Sequence, residues 1–180
     1  MLSIIKFVSH ITLFLFVLVV FSPKEKLYFY AIDLLQTYKV DVNQLNIQQK
    51  LNGLNVDSLT LHYDGINTSS ISSFGLSTYL LDTRIYMKDI LVSDGFKNFL
   101  PQKINNINLH HTIFNPIIIN VDCNFDGGKI FGTIDLVDRI IKVQVHTSKK
   151  FKTLYPIVVK QMKLLESKTQ EDIYEYEHKF

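Results

Sequence analysis

The chain has 180 residues, 47% of them hydrophobic, with a formal net charge of +2. That length suits one domain once a targeting segment is set aside, and that charge does not suit a nucleic-acid binder. A single cysteine, Cys123, excludes an intrachain disulfide framework and any multi-cysteine metal site.

Residues 2–21 read LSIIKFVSHITLFLFVLVVF. The run is about 20 residues, roughly 30 Å as a helix, which matches one bilayer core. A cleaved signal needs small residues before its cut site. Here Val19, Val20, Phe21 and Ser22 precede Pro23. An uncleaved single-pass anchor over residues 1–22 is therefore expected in preference to a cleaved signal. Lys6 and the α-amino group stand before the run's centre, Lys24 and Lys26 after it, so charge alone does not orient it. An N-terminal signal-anchor commonly exports the chain that follows, which in a bacterium means the periplasm. A lone cysteine suits that oxidising space.

The stretch PKEKLYFYAIDLLQTYKV, residues 23–40, predicts a membrane-proximal helix. Pro23 suits its first turn, and Tyr28, Ile32, Leu35 and Tyr38 recur at helical spacing. Tyr28, Phe29 and Tyr30 fall where an interfacial aromatic belt is expected. From about Val40 the period changes to two, so residues 41–180 read as a β-rich periplasmic domain. Leu59, Leu61 and Tyr63 alternate with polar residues before the Asp64-Gly65 turn. At least two strands follow, up to Asp94-Gly95, and residues 96–103 form a link broken by Pro101.

The second half predicts a three-strand meander. Ile117, Ile119, Val121, Cys123 and Phe125 share one face, followed by a turn at residues 126–128. Ile130, Gly132, Ile134 and Leu136 share the next, followed by Val137-Asp138-Arg139 as a turn. Ile141, Val143 and Val145 continue the pattern. One face is apolar and the other wet. A helix over residues 154–166, capped by Thr153 and striped by Val158, Met162 and Leu165, is the expected cover. Mid-strand Gly132 is expected to let that helix or another backbone approach closely. Tyr174, Tyr176 and Phe180 alternate with charges in a terminal strand.

Catalytic and metal signatures are missing from the sequence. His110-His111 would point to opposite faces of a strand and so would not chelate one ion. His62, His146 and His178 lack ligand spacing. Cys123 falls on the apolar face, as a buried small hydrophobe would. Glu171, Asp172, Glu175 and Glu177 read as a solvated edge, and the basic KKFK at 149–152 as a solvated loop. No catalytic residue, cofactor or metal site is expected, and an enzyme is the weakest reading.

The order of features carries a resemblance. An anchor precedes the PKEKLYFYAIDLLQTYKV helix, then LTLHYDGI, INNINLHHTIFNPIIINV and GGKIFGTIDLVDRIIKVQVHTSKKF, with IYEYEHKF last. The chain resembles the general secretion pathway protein N family of type II secretion systems, itself similar to AsmA-like proteins. The motif that carries it is Gly128, Ile130, Gly132, Ile134, Asp135 and Leu136, followed by Arg139. The resemblance implies a bacterial inner-membrane protein with a periplasmic, elongated, curved antiparallel sheet, mainly β with a few helices. It implies a non-catalytic component of a secretion, pilus or DNA-uptake apparatus whose partners are other inner-membrane or periplasmic subunits. The alternative is an AsmA-like module that holds acyl chains on the apolar face of its sheet. Neither reading includes direct contact with nucleic acid.

Overall fold

The computed structural model describes His10 and residues 24–79, 81–167 and 171–180. The expected anchor over residues 2–21 lies outside them, His10 apart. Among the described residues no helix is long and apolar enough to cross a membrane.

Helix α1 (Lys24–Thr37) leads into β1 (Val40–Lys50), β2 (Gly53–Tyr63), β3 (Ile66–Thr78) and β4 (Asp82–Val92). A 3-10 turn at Asp94–Phe96 precedes β5 (Lys103–Thr112), β6 (Asn115–Phe125), β7 (Gly128–Asp135) and β8 (Ile140–Ser148). Two single turns follow, α2 (Phe151–Leu154) and α3 (Pro156–Val159), then β9 (Lys163–Ser167) and β10 (Glu171–Lys179). The described strands form one open antiparallel sheet in the order β1-β2-β3-β4-β5-β6-β7-β8-β10-β9. The mainly β architecture, the meander and the terminal strand follow the sequence reading. The insertion of β10 between β8 and β9 does not follow from it.

The turns form where the sequence places them. Asp64 and Gly65 both have positive φ (52° and 78°), the pair of left-handed residues that a tight two-residue hairpin requires. Gly127 closes the β6–β7 turn at φ 98°.

A crease crosses five strands. Pairing between β1 and β2 runs Gln44↔Leu59, then Asn46↔Asp57, passing over Leu45 and Ser58. The next ladders pass over Ser72, then Asp89, in the same row. In β5 the row reaches Asn105, where the register against β6 shifts by one. Ser58 and Asp89 adopt left-handed φ values of 55° and 48°. A local departure of this kind bends a strand and reverses its alternation. Inward positions therefore lie three residues apart across the crease: Val56 and Leu59, Ile71 and Phe74, Met87 and Ile90, Ile104 and Ile107. All eight belong to or pack against one cluster with Leu54, and Tyr28 and Ile32 of α1 cover it.

The expected α1 stripe is shorter than its spacing suggests. Tyr28 and Ile32 are buried, but Leu35 and Tyr38 are exposed, because the helix overlies only the β1–β2 side of the sheet. The helix expected over 154–166 is corrected. Pro156 clashes with a helical residue before it, and Tyr155 leaves helical geometry at φ −126°, ψ 56°, which separates α2 from α3. Thr153 lies inside α2 rather than capping a helix, and Lys163–Ser167 becomes a strand because β10 offers it a ladder. The cover on this half is Phe151 and Val159, packed with Cys123, Phe125, Val145 and Tyr174.

Candidate functional site

The two covers leave part of the inner face open. Alternation and register put Ile85, Leu109, Val121, Gly132, Val143 and Tyr176 in one row across β4 to β8 and β10. Thr83, His111, Ile119, Ile134 and Ile141 form the next row toward the chain's other turns. Part of this surface is a cleft of about 260 Å³ lined by Thr83, Ile85, Leu109, His111, Ile119 and Leu136. Four of the six are aliphatic. An exposed apolar hollow beside the covered core is the candidate ligand or partner site. The polar residues at its edge are already engaged in part: the His111 Nε2 lies 3.0 Å from the Pro116 carbonyl oxygen.

The opposite face carries a wider hollow, about 500 Å³, with a polar wall that includes Ser77, Arg84, Lys88, Asn108 and His110. Two of its polar groups share one carboxylate, while Lys88 lies over the Tyr86 ring. Arg84 donates to Asp82, and His110 Nε2 lies 2.9 Å from the same carboxylate. The hydrogen bond from Arg84, and then that from His110, hold the Asp82 carboxyl below its usual range. Ile85, Tyr86 and Leu109 also line this hollow, whereas the smaller cleft has no Lys, Arg, Asp or Glu in its wall and is the better candidate for an apolar ligand. The two adjacent histidines point to opposite faces, as the strand period requires. Among the described residues no group of three potential ligands could hold a metal ion.

The motif residues are close together but act structurally. Gly128, Ile130, Gly132 and Ile134 share the inner face of β7. A Cβ on Gly132 would stand 2.4 Å from the Lys142 carbonyl oxygen and 2.5 Å from Val143 Cγ1. The close neighbour is thus the backbone of β8 in the same sheet rather than a helix, so of the two approaches expected it is another backbone that comes near. Asp135 Oδ1 accepts backbone N–H bonds from Val137 (2.9 Å) and Asp138 (2.8 Å), which shapes the β7–β8 turn. Arg139 takes φ 55° in that turn, and its carbonyl accepts the Phe180 N–H. Leu136 is the one motif residue in the cleft wall.

The acidic strand is better engaged than a solvated edge. Asp172 is buried and bonded to Lys149, Ser167 and the Tyr174 hydroxyl. The Lys149 bond first, then that from Ser167, lower its pKa. Glu171 meets His146 at 3.1 Å and Glu177 meets Lys142 at 3.1 Å. The KKFK segment is likewise corrected: Lys149 holds Asp172 and Phe151 is core. Cys123 is buried, and desolvation, with a smaller push from Asp122, raises its thiol to about 11.

Sequence reading missed Ile85, Leu109 and Ile119 as a site. Their alternation was visible, but the shortfall of cover depends on Pro156 breaking the second helix. Comparison with known protein families, with curated proteins and with solved structures finds no match to this chain.

Proposed function

We propose that this protein is a non-catalytic, single-pass inner-membrane protein whose periplasmic sheet holds a lipid acyl chain on its apolar face. The observation that carries the reading is the cleft along Ile85, Leu109 and Ile119, which neither α1 nor the α2–α3 segment reaches. An acyl chain is narrow, flexible and apolar, and asks for no hydrogen bonds from the wall. Burial of each methylene is worth about 0.8 kcal/mol, so a short stretch of chain along this row gives useful affinity. The apolar run 2–21 supplies the anchor that keeps the sheet beside a lipid source.

The test compares lipid retained by the full-length protein and by two cleft variants after detergent extraction and extensive washing. Leu109→Arg places a charge in the row, and Ile119→Trp fills the cleft without one. Loss of roughly one phospholipid per chain in both variants supports the reading. Equal lipid content in all three proteins contradicts it.

A second reading has its own observation. β1 is an outer edge of the sheet and runs for 11 residues, Val40–Lys50. Such an edge accepts a strand from a partner, as a scaffold subunit of a type II secretion-like apparatus would use it. Shielding of β1 amides from hydrogen exchange in native membranes, compared with the purified protein, separates this reading from the first.

A further inference from the structure

The two ends of the sheet carry opposite turn chemistry. At one end the connections are Asp64-Gly65, Ser93-Asp94-Gly95, Asp126-Gly127 and Lys149-Lys150. These are ordinary water-facing turns. At the other end Leu51 stands between β1 and β2, and Tyr79 and Leu81 between β3 and β4. Ile113 and Phe114 form the β5–β6 turn, and Leu136 and Val137 open the β7–β8 turn. Phe180 follows β10 at the same end, bonded to Arg139. All are exposed, Phe114 at 81% and Val137 at 69%. Large apolar side chains at turn apices, repeated on every described turn of one end, form a patch that water does not favour. The opposite end also exposes apolar residues, but Tyr38 precedes β1, Tyr63 and Ile66 flank a D-G turn, Phe99 and Leu100 sit in the longer 93–102 link and Leu154 in α2, and none stands at the apex of a short strand-to-strand turn.

A second observation fixes the end at which α1 begins. Gln49, next to the β1–β2 turn, donates a hydrogen bond to Glu25 in the first turn of α1. Tyr28 reaches Gln44 farther down the same strand. So α1 begins at the apolar end and runs back antiparallel to β1. The chain that enters α1 there is the 20-residue apolar run. Lys50, Arg139 and Lys179 are exposed at this end, suited to lipid phosphates, with Asp138 and the Lys142-paired Glu177 as exposed acids near them.

We infer that these apolar turns are a docking rim for the bilayer surface, with the sheet standing on its turns at the membrane. Alternate connections in a sheet lie about 10 Å apart. A row of small apolar wedges at that spacing suits a flat, deformable surface. The cleft wall at Leu136 belongs to the same rim, so the cleft opens toward the lipid. The inference shares the bilayer with the functional reading but does not require the cleft to be occupied.

The chain has no tryptophan, so one introduced Trp reports alone. Full-length Phe114→Trp, Val137→Trp and Phe99→Trp variants are reconstituted into phosphatidylethanolamine–phosphatidylglycerol vesicles, with and without brominated acyl chains. The two rim reporters should emit at shorter wavelength, lose most of their emission to brominated lipid and resist iodide. Phe99→Trp stands one strand length away, roughly 35 Å, and should be quenched by iodide only. Rim reporters that float with the vesicles but respond to iodide as Phe99→Trp does overturn the rim. Rim reporters shielded from iodide yet untouched by brominated lipid overturn it in favour of a second copy of the chain. Protein that fails to float with vesicles overturns both the anchor and the rim. Lipid retention by the cleft variants is independent of all these outcomes.

Discussion

Val56 and Leu59 lie three residues apart on β2 and are both buried on the same face, one on each side of the crease. Strict alternation would put them on opposite faces. The left-handed turn of the backbone at Ser58 makes up the difference, and Asp89 does the same on β4. Asp tolerates that conformation better than most residues, and Gly adopts it freely. Asp89→Gly should therefore leave the melting temperature unchanged or higher. Asp89→Val should destabilise by roughly 1–2 kcal/mol. Thermal melts of the two variants compare them, and equal effects would mean the crease does not depend on that residue's backbone.

Gly132 is fixed by its own sheet. A methyl group there meets the Lys142 carbonyl and Val143, and a backbone atom cannot swing aside as a side-chain tip can. Gly132→Ala should cost about 1–3 kcal/mol, the range for overpacking. Urea unfolding measures it. An unchanged midpoint would show that β7 and β8 separate at that point without penalty.

Asp172 links acidity to the C-terminal strands. Its folded pKa is lowered by Lys149 and Ser167. A depressed carboxylate stabilises the fold at pH values above its unfolded pKa, about 3.9. That contribution falls away as pH drops through the folded value. Stability should therefore decline below about pH 4, and Asp172→Asn should show a shallower decline while being less stable at neutral pH. Melting curves from pH 7 downward check both. An identical acid slope in the variant would remove Asp172 from the account.

Cys123 should be inert in the folded protein. It is buried among Phe125, Val145 and Phe151, and its thiol is raised to about 11. The reactive thiolate is then scarce at pH 8. A chromogenic disulfide reagent should label it only after denaturant is added. Rapid labelling of native protein would mean that the α2–α3 cover opens readily.

Much of the sheet was legible in local pattern. The Asp64-Gly65 and Asp126-Gly127 turns, the Ile117–Phe125 alternation and the terminal strand each depend on a few neighbouring residues. What escaped depends on distance along the chain. The spacing of three at Val56–Leu59, Ile71–Phe74, Met87–Ile90 and Ile104–Ile107 recurs in the sequence and marks the crease, but a strict period of two hides it. The ties of Asp172 to Lys149 and Ser167 require β10 to enter between β8 and β9, which no local signal specifies. Pro156 breaks the helix expected over 154–166, ending one turn and beginning another. That break shortens the cover and leaves the cleft open.

Leu109 and Asn108 are neighbours on β5 with side chains on opposite faces of the sheet: Leu109 lines the apolar cleft and Asn108 does not. A photo-crosslinking phenylalanine analogue placed at each position in the full-length protein, irradiated in native membranes, tests the acyl-chain reading most directly. A phospholipid adduct, detected by intact mass, is expected at position 109 and none at position 108. No lipid adduct at 109, or equal adducts at both positions, would contradict it.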